Sequence, residues 1–312
     1  MGAASACGAT GGASGGRWGA EGGQRRELPG IDTSELTARE ESEWWSAVND
    51  LAAPCPDQPV NLAQCVSEDR ACPGCRPAAE LLRDQIVLGR ARAQVEAAFR
   101  IRFDPAQVTR IDLAGAPGKG AAKPTVVIVE WADFECPFCA RAAALLRAEV
   151  DAYPDQVRLV FKHFPLEQHA HAMEAALAAV AADRQGKFWE LHDALYANRE
   201  SLDPASLEQL ARGLGLDMAR FAADRASPEV RGVVERDMRQ ADALGLGGTP
   251  FIFVNGRRFD LAIFDLATEL SPWVELEIEI ATGRRPRARR RAGRAVDAAG
   301  QAVSPRVAES AR

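Results

Sequence analysis

Cys136-Pro137-Phe138-Cys139 is the part of this 312-residue chain whose residue types and spacing can do chemistry unaided. Two cysteines separated by two residues supply an attacking sulfur and a resolving sulfur, the minimum for thiol–disulfide exchange. The elements needed to position them are written on either side. Val126-Val127-Ile128-Val129 is an apolar, β-branched run that suits a strand buried on both faces of a sheet. Arg141 to Val150 is rich in Ala and Leu, good helix formers. Cys136 is therefore expected at a strand-to-helix turn, on a helix N-terminus. Unpaired amides and the positive dipole end favour a thiolate there, holding the pKa below the roughly 8.5 of a free cysteine. Cys139, one turn along, can reach back to close a disulfide.

The rest of the composition narrows the class. A hydrophobic content of 47% is ordinary for a globular protein, and a net charge of −6 gives no reason to expect a nucleic-acid partner. No run of 18 apolar residues is present, so no transmembrane helix is expected. The cysteines are Cys7, Cys55, Cys65, Cys72, Cys75, Cys136 and Cys139. Six of seven can pair, which points to an oxidising compartment or to metal.

Residues 1–32 read as a flexible Gly/Ala/Ser-rich tether. Its Ala4-Ser5-Ala6-Cys7 resembles the lipobox of bacterial lipoproteins, which makes Cys7 a lipidation candidate, although only six residues stand before it and the usual apolar stretch is missing. Residues 33–105 read as a small helical module. One helix is expected from about Ser34 to Ala53, capped by Ser34 or Thr37, and a second from about Pro77 to Phe99. Between them lie Cys55, Cys65, Cys72 and Cys75 among several prolines. Three arrangements compete: two structural disulfides, a four-cysteine zinc site using the Cys72-x-x-Cys75 spacing, or a second redox pair at Cys72 and Cys75.

Residues 106–282 read as an α/β domain. Strands are expected at Val108–Leu113, at 126–129 and at Val157–Phe161, the last parallel to the second across a helical crossover. A helical insertion should occupy about 168–245, with Asp203-Pro204 and Ser227-Pro228 as helix starts. Thr249-Pro250 leads into a strand at 251–254. Asn255-Gly256 is a hairpin signal, Arg257–Phe259 a returning strand, and Phe264–Ala281 a last helix that Pro272 should break or begin. Residues 283–312 form a basic tail with seven arginines between Arg284 and Arg294. It reads as solvated and disordered rather than as a contact for anionic lipid or nucleic acid.

The order strand, strand–CPFC–helix, strand, inserted helices, Thr-Pro-strand, hairpin, helix resembles the DsbA-like branch of the thioredoxin superfamily. The matching text is Glu130-Trp131-Ala132-Asp133-Phe134-Glu135 before Cys136, then Phe161 to Leu166, Phe188 to Asp193, and Gly248 to Gly256. The resemblance implies a thioredoxin-like fold and no cofactor. It implies a cis-proline at Pro250 that, with Thr249, faces the dithiol and pairs with a substrate strand. Relatives of this kind often carry a buried acid where Glu130 stands, which could move the proton of Cys139. The best-known oxidase has Pro-His between its cysteines. Pro137-Phe138 here should stabilise the thiolate less and make the disulfide less oxidising, leaving oxidation, isomerisation and reduction open.

His163, His169, His171 and His192 do not share a spacing that suggests metal. His169 and His171 are two apart, on different faces if helical. The function read from the sequence is a thiol–disulfide oxidoreductase that oxidises or isomerises exported proteins in the periplasm or cell envelope. Its implied partners are protein thiols and a membrane redox protein that recharges the dithiol. Any membrane attachment would run through Cys7. The rival is a redox-inactive binding or chaperone module whose cysteines are structural or zinc-bound.

Overall fold

The computed structural model describes residues 27–284 and Pro286. Cys7, most of the 1–32 segment and nearly all of the arginine-rich tail lie outside the described residues.

The N-terminal helices are α1 (Ala38–Asp50), α2 (Leu62–Ser67), α3 (Cys75–Val87) and α4 (Arg92–Phe103). Thr37, not Ser34, caps α1. Its hydroxyl accepts from the Glu40 amide at 3.3 Å while the Glu40 carboxylate accepts from the Thr37 amide at 2.8 Å. The single helix expected over 77–99 is two helices. Gly89 takes φ +71°, a left-handed stop, and Leu88 before it is 66% exposed. The short α2, capped by Asn61, went unforeseen. Disulfides join Cys55 to Cys72 and Cys65 to Cys75. This pairing uses all four sulfurs, so none is a thiolate free for zinc, and Cys72 and Cys75 are not bonded to each other. A core of Trp44, Val48, Leu62, Leu82 and Val95 closes around the bridges.

The five-stranded sheet comprises β1 (Gly118–Gly120), β2 (Val126–Ala132), β3 (Val157–His163), β4 (Phe251–Val254) and β5 (Arg257–Phe259), in the order β1-β3-β2-β4-β5. β2 and β3 are parallel, with Glu130 opposite Phe161, and the other neighbours are antiparallel. The strand expected at 108–113 is absent. That stretch is irregular, and its Thr109 amide donates to the Gly256 carbonyl at 2.7 Å. One edge of the sheet is β1, in what reads as a loop. Gly120 has φ +102°, and a side chain there would collide with the Val157 carbonyl, so glycine lets the edge approach β3.

α5 (Pro137–Ala152) connects β2 to β3. It packs Ala142, Leu146 and Val150 against Ile128 and Leu159 on one sheet face. The insertion contributes α6 (Ala172–Asp183), α7 (Phe188–Ala197), α8 (Pro204–Gly213), α9 (Met218–Ala226) and α10 (Pro228–Ala243). α8 and α10 begin on the Asp203 and Ser227 caps, as their Asp-Pro and Ser-Pro pairs direct. On the opposite sheet face, buried Lys162 and Asp237 form an ion pair at 2.9 Å. Asp237 also accepts from the His163 amide at 3.1 Å, so this charge ties α10 to the end of β3.

α11 (Leu266–Thr282) carries Pro272 inside it, neither at its break nor at its start. An internal proline loses one backbone bond and costs about 3 kcal/mol in an unsupported helix. Burial of Trp273, Val274, Leu276 and Ile278 offsets this, since a buried apolar side chain contributes about 1.5–3 kcal/mol. Leu276 also enters the core of the N-terminal helices. Buried Arg102 of α4 reaches Glu277 at 2.7 Å and stacks 4.2 Å over the Trp273 ring.

Candidate functional site: a dithiol at the head of α5

β2 ends in the core and delivers the chain to α5 through Asp133-Phe134-Glu135. Asp133 is buried and shapes that turn. Its carboxylate accepts from the Glu135 amide at 2.7 Å, an Asx-type turn, and from the Leu166 amide at 2.8 Å. The same oxygen that takes the Leu166 amide lies 2.8 Å from His169 Nδ1. Glu135 in turn accepts from the His171 amide at 2.7 Å. His169 and His171 are thus in the connection after β3, not on a helix, and they brace the approach to the cysteines.

Cys136 is the N-cap residue of α5, and Pro137 occupies the first helical position, where its missing N–H costs nothing. The Cys136 sulfur lies 3.7 Å from the carbonyl oxygen of Thr249. The Thr249–Pro250 peptide is cis, so the loop before β4 and the head of α5 meet at this sulfur. Cys136 exposes only 3% of its surface, but its surroundings are polar: the α5 amides on one side and the Thr249 carbonyl on the other. Phe138, by contrast, is 60% exposed, with the Arg141 guanidinium 4.7 Å from its ring.

The two thiols are set far apart in acidity. The Cys139 thiol donating to Cys136, the Thr249 side chain and the amides of Cys139 and Phe138 overcome desolvation and bring the Cys136 pKa down to about 5. Cys139 is fully buried. Burial above all, then its bond to Cys136 and the nearby Glu130 charge, push its pKa far up. At neutral pH the pair is one thiolate beside one thiol, the division of labour that exchange requires.

Glu130 lies under this pair on β2. It is fully buried, and neither carboxylate oxygen has a hydrogen-bond partner. Burial first, and the Cys136 charge second, raise its pKa to about 8. A carboxyl held near neutrality in this way can take a proton from a neighbouring thiol and return it.

Cys136, Cys139, Glu130, Pro137, Phe138, Thr249 and Pro250 therefore converge on one site, while Cys55, Cys65, Cys72 and Cys75 lie apart in the N-terminal core. Three buried groups behind the site carried no chemical signal in the sequence. His163 and His192 share no spacing that suggests metal, and Tyr196 stands in no motif. His163 lies on the same face of β3 as Phe161, and burial brings its pKa down to about 4. Asp133 did carry a usable signal, since an Asp two residues before Glu135 can close an Asx turn.

A sheet with a parallel central pair, a dithiol at the head of the crossover helix and a proline loop facing it define a thioredoxin-like α/β fold. The thioredoxin family model matches residues 115–268, and that stretch belongs to the thioredoxin superfamily. Among solved structures, a thioredoxin-like oxidoreductase from Silicibacter pomeroyi is 34% identical with a TM-score of 0.47, covering 52% of this chain and 91% of that one. Oxidised BdbD from Bacillus subtilis is 21% identical with a TM-score of 0.49, covering 55% of this chain and 97% of that one. Among curated proteins, "Na(+)/H(+) antiporter NhaA 3" of Salinispora tropica is 38% identical over 180 residues, which is 56% of this chain and 27% of the antiporter. The chain thus spans about a quarter of the length of the curated relatives it matches. Among the described residues no helix is long and apolar enough to cross a membrane.

Proposed function

We propose that the protein exchanges disulfides with protein substrates of the cell envelope through Cys136 and Cys139. The observation that carries this reading is the split between a stabilised thiolate at Cys136 and a buried, protonated thiol at Cys139, directly above an unpartnered carboxyl. The Cys136 thiolate attacks one sulfur of a substrate disulfide. A Cys136–substrate bond forms, the substrate's own S–S bond breaks, and the second substrate sulfur leaves as a thiolate. The mixed disulfide removes the Cys136 charge that helps keep Glu130 protonated, so Glu130 ionises. Cys139 then gives its proton to the Glu130 carboxylate and attacks the Cys136 sulfur. The Cys136–Cys139 bond forms and the first substrate sulfur is released. The substrate is reduced by two electrons and the dithiol oxidised; run backwards, the same steps oxidise a substrate dithiol.

Thr249 offers its backbone to an extended substrate segment beside Cys136, and exposed Phe138 with Arg141 forms the rim such a segment crosses. With Phe138 between the cysteines no histidinium adds to the thiolate's support, so the disulfide is a milder oxidant than a Pro-His pair. A membrane redox protein that recharges the dithiol remains the partner class implied by resemblance.

The test is trapping. Cys139→Ser incubated with a cystine-containing peptide should accumulate a mixed disulfide on Cys136 that dithiothreitol releases. Cys136→Ser should accumulate none. Equal adduct in both variants, or none in either, would rule the reading out and favour a binding module.

A further inference from the structure

Behind the dithiol, away from the substrate rim, lies a group of buried polar atoms without hydrogen-bond partners. They are both carboxylate oxygens of Glu130, both ring nitrogens of His163, Nε2 of His192 and the hydroxyl of Tyr196. All four residues are more than nine-tenths buried: Glu130 and His163 expose 0% and 1%, His192 and Tyr196 3% and 7%. Unpaired buried polar atoms are uncommon in folded proteins, and each calls for a reason.

The side chains of His163, His192 and Tyr196 pack as one set around Phe134 and Phe161. The His192 and Tyr196 rings, one turn apart on α7, have centroids 4.9 Å apart. Both rest on Phe134, at 5.8 and 5.2 Å, in the turn that leads to Cys136. His163 and His192 flank Phe161, at 5.1 and 5.4 Å. At the inner end, Tyr196 packs in one buried cluster with Phe134, Cys136 and Cys139, and the charges of Glu130, Cys139, Asp133 and Cys136 raise the pKa of its hydroxyl after burial. At the outer end, His192 Nδ1 lies 2.9 Å from Asp193, whose side chain is 43% exposed and paired with Arg147 at 2.6 Å. His192 thus points one nitrogen at a surface carboxylate and keeps the other, unpartnered, in the core.

We infer that Tyr196 and His192 form a proton passage between the Glu130–Cys139 pair and solvent at Asp193, with ordered water bridging the unpartnered atoms. The inference rests on the exchange reading given above. It answers a question that reading raises: Glu130 receives the Cys139 proton in a site with no solvent contact of its own. A buried water needs two to four polar partners, and the free atoms of Glu130, His163, His192 and Tyr196 supply them. The balance is one proton per turnover. Cys139 loses it to Glu130 as the Cys136–Cys139 bond forms. Glu130 loses it through Tyr196 and His192 to Asp193 and bulk water, and is left ionised for the return. The charged and titratable groups facing Tyr196 are Glu130 on β2, Asp133 in the turn, and Cys136 and Cys139 on α5. Those facing His192 are its neighbour Asp193, Arg147 on α5, Lys119 on β1 and His163 on β3. Arg147 and Lys119 disfavour a positive charge on His192. Burial keeps both histidines neutral, able to relay a proton without trapping it.

The two variants are Tyr196→Phe in the core and Asp193→Asn at the surface, with Asp193→Glu as the conservative control. Reduced full-length protein is mixed with glutathione disulfide, and quenched samples are followed by mass spectrometry for the appearance and decay of glutathionylated Cys136. Appearance should match wild type in every variant. Decay, the Cys139-dependent step, should slow roughly tenfold or more in Tyr196→Phe and Asp193→Asn, within what positioned proton transfer contributes. Its pH dependence should change, and Asp193→Glu should restore it. Wild-type decay in both variants, or slowing confined to Tyr196→Phe, overturns the passage while leaving the exchange reading in place. Absence of any Cys136 adduct in wild-type protein overturns the exchange reading and this inference with it.

Discussion

The Cys136 sulfur and the Thr249 carbonyl oxygen stand 3.7 Å apart although 113 residues separate them in the chain. The helical insertion fills most of that separation. It returns the chain so that the proline loop closes over the head of α5, and one sulfur is presented between a set of amides and a backbone edge. The thiol below it is sealed off. This arrangement, more than the cysteine spacing alone, is what makes the pair asymmetric.

Glu130 gives the first expectation, through the pH dependence of stability. Its pKa is raised from the ordinary carboxyl value to about 8 in the folded, reduced protein. For an acid with a raised folded pKa, the folded state holds a proton that the unfolded chain has released. Stability relative to a residue that does not titrate is therefore full below the unfolded pKa and is lost as pH rises through the folded pKa. Glu130→Gln should match wild type near pH 4. It should then gain on wild type by about 1.4 kcal/mol per pH unit up to about pH 8 and level off beyond. Urea unfolding of reduced protein across this range measures it. The window should narrow in the oxidised protein, with the gain levelling off below pH 8, because Cys136 carries no charge there and burial alone raises Glu130.

Asp133 gives the second. Its buried carboxylate holds the amides of Glu135 and Leu166, and His169 beside them. Asp133→Ala strands two amides and should destabilise the protein by about 2–6 kcal/mol, taking about 1–3 kcal/mol for each group left unpaired. His169→Gln keeps both amide bonds and should cost far less. Denaturant midpoints of the two variants separate the contributions.

The N-terminal bridges give the third. Cys55–Cys72 and Cys65–Cys75 span sequence separations of 17 and 10 residues. Replacing either pair with serine should lower the stability of the N-terminal helices by about 2–4 kcal/mol. Peptide mapping without reduction should recover those two pairs. Recovery of a Cys72–Cys75 bond would point to a second exchange site instead.

The central strand, the helix after the dithiol, the caps at Asp203 and Ser227 and the hairpin at Asn255-Gly256 were legible because each is fixed by local chemistry. A β-branched run, an Asp-Pro or Ser-Pro pair and an Asn-Gly pair direct the backbone whatever surrounds them. Gly120 was illegible for the opposite reason. Glycine reads as loop, and only the neighbouring β3 shows that it is there for close approach. Val108 to Leu113 looked like a strand by its residues but found no partner strand to pair with. Gly89 ends α3 with a positive φ, a stop that the apolar residues on either side of it, Ile86 and Val95, mask in the sequence. Cys136, Cys139 and Pro250 stood out by motif. His163, His192 and Tyr196 did not, because buried polar residues become visible only when their partners, or their lack of partners, are seen.

The most direct measurement is alkylation of reduced protein with iodoacetamide between pH 4 and 9, with peptide mass spectrometry assigning the labelled cysteine. The expected result is labelling at Cys136 alone, half-maximal near pH 5, with Cys139 protected throughout. Labelling of Cys139 first, or a Cys136 profile that rises only above pH 8, would contradict the account.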